Sequence, residues 1–104
     1  MSGTSRRAEA LALLGLAQRA GAVVKGTQAT RLALRRGDAK LVILADDGSR
    51  AQLDKVVPLA QSRGVPCMNL GDQATLGAAI GSGPLTAVAV TRSGFGKRIG
   101  TLSG

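Results

Sequence analysis

The sequence predicts an α/β fold, a three-layer α/β/α sandwich around a four-stranded mixed sheet. Segments with helical apolar spacing alternate with short β-branched runs, helix then strand, four times along the chain. One such run, Lys40-Leu41-Val42-Ile43-Leu44-Ala45, is almost wholly apolar, as a strand covered on both faces must be. A length of 104 residues suits a single domain with a modest core. The expected core covers residues 6–92, with a basic, glycine-rich tail over 93–104.

The first helix is expected over residues 6–19, capped by Thr4 or Ser5 after a polar lead-in. Ala8, Leu11, Leu14, Leu16 and Ala17 form its apolar stripe, and Gly21 stops it. Ala22-Val23-Val24-Lys25 is a short strand ended by Gly26. The second helix covers 27–36 and is closed by Gly37; the strand at 40–45 follows. Asp46-Asp47-Gly48-Ser49 is turn chemistry, with Ser49 capping a third helix to about residue 63. Leu53, Val56, Val57 and Ala60 share one side of that helix, and Pro58 predicts a kink or an early break. The third strand is Cys67-Met68-Asn69-Leu70. Asp72 caps a short fourth helix over 74–80. A loop, Gly81-Ser82-Gly83-Pro84, leads to the last strand over 85–91. One helical turn is expected around Phe95 in the tail.

Charge narrows the function. Lys and Arg outnumber Asp and Glu by 14 to 6, a net charge of +8, so the expected partner is a polyanion, nucleic acid before anionic lipid. His, Trp and Tyr are absent and Phe95 is the single aromatic residue. That disfavours readers that splay and stack several bases, and favours contacts to backbone, groove and shape. Cys67, alone, forms no internal disulfide and is expected in the core rather than as a nucleophile. No apolar run approaches a membrane span, and the N-terminal stretch alternates charge and apolarity too regularly for a signal peptide. A cytoplasmic location is expected, with no membrane partner.

The positive charge is concentrated. Between Ala10 and Gly37 lie Arg19, Lys25, Arg31, Arg35 and Arg36 without one acid. At about 100° per residue, Thr27, Gln28, Arg31 and Arg35 share one side of the second helix, and Ala29, Leu32, Ala33 and Leu34 are expected on the core side. Guanidiniums grip phosphate or guanine edges in pairs of hydrogen bonds, and an amide reads base edges. Unpaired amides at the helix start add to the attraction for anions.

The run over 26–47, which begins Gly26-Thr27-Gln28-Ala29-Thr30-Arg31 and ends Ile43-Leu44-Ala45-Asp46-Asp47, resembles the kink-turn RNA-binding family of ribosomal proteins L-seven-Ae and L-thirty-e. Val65-Pro66 and Leu76-Gly77-Ala78-Ala79-Ile80-Gly81 fit it as well. Leu14-Gly15-Leu16-Ala17-Gln18-Arg19-Ala20 and Val90-Thr91-Arg92-Ser93-Gly94-Phe95 resemble its bacterial YlxQ-like subgroup. The resemblance covers about residues 10–98 and implies a sandwich that binds structured, ribosomal or kink-turn RNA. It implies that the junction at Gly26 enters the groove of a kinked duplex beside sheared G·A pairs. A second loop, here over Ile80, Gly81, Pro84 and Leu85, would hold a flipped-out base. The family pattern Gly-x-Asn-Glu-x-x-Lys is altered, with Gln28, Ala29 and Leu32 at the Asn, Glu and Lys positions.

The expected RNA-binding set is therefore Lys25, Gly26, Thr27, Gln28, Arg31, Arg35 and Arg36 with Ile80, Gly81, Pro84 and Leu85. Asp46 and Asp47 are read as turn and cap residues, since general acid–base work at neutral pH without His needs a strongly shifted group. No cluster suits a metal, and Gly81-Ser82-Gly83-Pro84 precedes a strand, unlike nucleotide-binding loops. No cofactor is expected. Arg92, Lys97 and Arg98 add phosphate contacts or belong to a loose end. Two rival readings are an RNA-recognition domain related to RNA-modifying enzymes and a basic protein–protein adaptor.

Overall fold

The computed structural model describes residues 2–102. Its elements run α1 (Ser2–Arg19), β1 (Val23–Lys25), α2 (Thr27–Arg36), β2 (Leu41–Leu44), α3 (Arg50–Ser62), β3 (Cys67–Asn69), α4 (Gln73–Ala79), β4 (Ala87–Val90) and α5 (Ser93–Gly100). The sheet order is β1-β4-β2-β3. β2 and β3 are parallel and linked through α3, whereas β4 lies antiparallel between β1 and β2. The sheet is thus mixed, as expected.

The apolar runs explain the three layers. Successive strand residues point to opposite faces, so Leu41, Ile43, Val88 and Val90 pack on one side with Leu14 of α1, Leu76 of α4 and Ile99 of α5. Val42, Leu44, Ala87 and Ala89 pack on the other with Leu34 of α2 and Val56 and Ala60 of α3. All residues of β2 and β4 are buried.

Several expectations change. α1 begins at Ser2, which puts Thr4 and Ser5 inside the helix rather than at its cap. Its buried stripe is Ala10, Leu13, Leu14 and Ala17, and Leu16 stands 48% exposed. Leu14 and Leu16 are about 200° apart on a helix, so one face cannot bury both. The same geometry acts in α2, where Leu34 is buried, Leu32 is 46% exposed and Thr30 takes the core position. α2 otherwise has the expected ends, with Gly26 and Gly37 flanking it.

α3 runs unbroken through Pro58. Pro58 is exposed, so the carbonyl its missing N–H would have bonded faces solvent and can be hydrated. Ser49 caps α3, its hydroxyl accepting from the Gln52 amide at 3.3 Å. Asp72 caps α4, accepting from the Thr75 amide at 2.8 Å. Cys67 is exposed rather than in the core, because β3 is an edge strand. The expected tail is instead a helix, α5, that buries Ile99 and half-buries Phe95 against α1 and the sheet. Ser103 and Gly104, the end of that tail, lie outside the described residues.

Candidate nucleic-acid interface

β1 ends at Lys25, and the chain turns into α2 at Gly26. The turn requires φ 100° and ψ 159°, a region that only glycine occupies without strain. The Gly26 amide donates to the Ala87 carbonyl on β4 at 2.9 Å, which fixes the junction to the sheet. The Gly26 carbonyl accepts from the Thr30 amide at 2.9 Å, the first bond of the helix. No side chain caps this end, so the amides of Thr27, Gln28 and Ala29 point outward as donors.

Beside this junction lies the segment entering β4. Lys25, Gly26, Thr27, Gln28 and Ala29 line an open depression of about 440 Å³ together with Pro84, Leu85 and Thr86. Two segments nearly sixty residues apart in the chain therefore share one surface. Gln52 of α3 and Gln73 of α4 complete the lining. The Thr27 hydroxyl donates to Gln52 Oε1 at 3.0 Å, tying the start of α2 to α3.

Gln73 holds the other wall. Its amide donates to Asp47 Oδ1 at 2.8 Å and its Nε2 to the Asp47 carbonyl at 3.0 Å. Its carbonyl accepts from the Leu85 amide at 3.1 Å, and its Oε1 accepts from the Thr86 hydroxyl at 3.2 Å. Gly77 seats the same loop from below, since a Cβ there would collide with the Gly83 carbonyl. Sequence reading missed Gln52, Gln73, Gly77 and Thr86 as builders of the surface. Only Gly77, a glycine inside a helical stretch, carried a local signal of close approach.

A second shallow cleft, about 340 Å³, continues along α2 and shares Gln28 and Ala29 with the first. Arg31, Leu32 and Arg35 line it. Arg31 is half-buried, and its Nε is shielded from solvent with no acceptor. Among the described residues the recorded ion pair is Arg7 with Asp46, at 3.7 Å, so Lys25, Arg31, Arg35 and Arg36 carry unneutralised charge.

The structure does not gather every expected residue. Ile80 is 6% exposed and belongs to the core under α4, because the last turn of that helix faces the sheet. Gly81 is exposed but lies off the depression. Arg36 lies round the helix from Arg31 and borders a small hollow with Leu32, Asp38 and Thr91.

Asp46 and Asp47 serve contacts within the fold, one to Arg7 and the other to Gln73. Partial burial pushes the Cys67 thiol up from its usual range, which lowers its thiolate fraction at neutral pH. Among the described residues, no group of three or more Cys, Asp or Glu is placed to hold a metal ion. No helix among them is long and apolar enough to cross a membrane.

Comparison with known proteins bears on the family and the fold. The chain is 38% identical over 87 residues to RNA-binding protein YlxQ of Bacillus subtilis (strain 168), covering 84% of this chain and 87% of that protein. It is 34% identical over 92 residues to RNA-binding protein YlxQ of Enterococcus faecium, covering 88% of each. Among solved structures, a protein of unknown function from Bacillus halodurans C superposes with a TM-score of 0.85 at 31% identity, covering 89% of this chain and 94% of that one. The Giardia lamblia 15.5kD RNA binding protein superposes with a TM-score of 0.79 at 26% identity, covering 96% and 86%. Residues 8–99 match the ribosomal protein L7Ae/L30e/S12e/Gadd45 family, and the chain belongs to that family.

Proposed function

We propose that this protein is a non-enzymatic binder of structured RNA and that the β1–α2 junction is its contact surface. The observation that carries the reading is the shared depression, where unbonded α2 amides meet the Pro84–Leu85 wall beside unneutralised Arg31 and Arg35. A backbone phosphate supplies the acceptors that the first-turn amides lack within the chain. Gln28, exposed and shared by both clefts, is placed to donate and accept at a base edge. The Bacillus subtilis and Enterococcus faecium relatives are both named as RNA-binding proteins, which supports the same partner. We place the work in the cytoplasm, on ribosomal or ribosome-associated RNA, in keeping with the family name.

Recognition of a kink-turn is the finer reading. Ala29 supplies no carboxylate to accept from a guanine, and Leu32 offers no charge to a phosphate. Selectivity must then rest on Gln28 and on the shape of the depression. Binding curves against a kink-turn hairpin, the same hairpin with its sheared pairs replaced, and a plain duplex test this. The expected order is hairpin first, with a smaller loss on pair replacement than a carboxylate-bearing site would show. Equal affinity for all three RNAs contradicts recognition at the junction and leaves only general polyanion binding.

A further inference from the structure

A second concavity, remote from the junction, lies where α5 leaves the β3 side of the sheet uncovered. Its volume is about 620 Å³, within the range of pockets that accept ligand-sized groups. Leu41, Pro66, Met68 and the backbone at Gly96 and Gly100 give it a mainly apolar lining, and Lys40 and Lys97 also line it. α5 rests on the start of β2, where a Cβ built at Gly96 would make ordinary van der Waals contact with the Lys40 Cβ at 3.4 Å, and β3, at the sheet edge, is left uncovered beside it.

The charge around this groove identifies its occupant. Its lining includes two lysines and no acid, and α5 ends in Lys97 and Arg98. Neither Lys40 nor Lys97 is in the ion pair recorded for the described residues. A second copy of a chain with net charge +8 would bring like charge against like. A nucleic acid would match the lysines but leave the apolar floor unfilled.

We infer that this groove docks an acidic protein segment that inserts one or two large apolar side chains between Lys40 and Lys97. The apolar anchors would supply most of the affinity and the carboxylates the orientation and on-rate. Docking here leaves the β1–α2 surface open, so one molecule can hold RNA and an acidic partner together.

Cys67 lines the groove, is exposed, and is the chain's single cysteine, which makes it a built-in reporter. The probe is a short fluorescein-labelled peptide rich in glutamate, with two phenylalanines one helical turn apart. Saturable anisotropy binding is expected, with matching protection of Cys67 from maleimide. Lys40→Glu with Lys97→Glu should weaken the peptide about tenfold. Gly100→Leu should block it, since a side chain there would enter open space rather than meet a neighbour. An unchanged circular dichroism spectrum and thermal melt exclude misfolding. The inference is overturned if the peptide binds without protecting Cys67, if the charge reversals leave its affinity unchanged, or if RNA protects Cys67 instead. The two peptide outcomes leave the junction untouched, whose own test uses RNA and the arginines of α2, whereas protection of Cys67 by RNA would count against both readings.

Discussion

Gly26 is the residue on which the junction turns. Its backbone conformation lies where a Cβ is strained, so Gly26→Ala should cost about 1–3 kcal/mol. Denaturant unfolding measures that loss, and RNA affinity should fall with it as the first-turn amides shift. Gln73 makes four hydrogen bonds that tie Asp47, Leu85 and Thr86 together. Gln73→Ala keeps the two backbone bonds and loses the two made by the side chain. It should cost roughly 1 kcal/mol of stability and weaken RNA binding further by loosening the Leu85 wall.

Asp72 gives a pH signature. The Thr75 backbone amide, then the Thr75 side chain, hold its carboxyl below the usual range, with a smaller contribution from the charge of Arg7. A carboxyl whose folded value is depressed adds its stabilisation in full above the unfolded value, about 3.9. The contribution is lost as pH falls through the lower folded value. Thermal melts from pH 6 downward should therefore show a difference between wild type and Asp72→Asn that narrows in acid.

At the scale of elements, α2 was the most legible part of the chain. Gly26, the apolar spacing and Gly37 bracket it, and the helix has the predicted ends. Its buried face was read less well, since two leucines two residues apart compete for one side. Thr30, not Leu32, lies in the core. That leaves an exposed leucine beside the arginines, which no local pattern reveals.

α5 was hidden for a different reason. Three glycines and two basic residues in Ser93–Gly100 read locally as loop, and packing against α1 and the sheet overrides that propensity. Ile99, fully buried at the centre of this packing, is the measure of it. Ile99→Ala should lower unfolding free energy by about 2–5 kcal/mol, whereas a frayed tail would tolerate it.

The junction half of the candidate site was visible because its residues are neighbours in sequence. The opposite wall was visible only through family resemblance. Gln52 and Gln73 could not be read at all, because the tertiary fold alone brings them to the depression.

At the scale of the whole molecule, positive charge is spread widely, but the arginines of α2 stand beside a helix end with free donors. Charge alone would give RNA binding with no preferred face, whereas an interface at the β1–α2 junction concentrates a large share of the phosphate contacts on one side. Four to six contacts predict a slope of log affinity against log salt of roughly −3 to −5. The most direct measurement is that salt titration, run on wild type and on the Arg31→Ala, Arg35→Ala double variant with the same structured RNA. A slope less steep by one to two, with weaker binding at every salt concentration, is the predicted result. An unchanged slope and affinity in the double variant would show that RNA is held elsewhere on the protein.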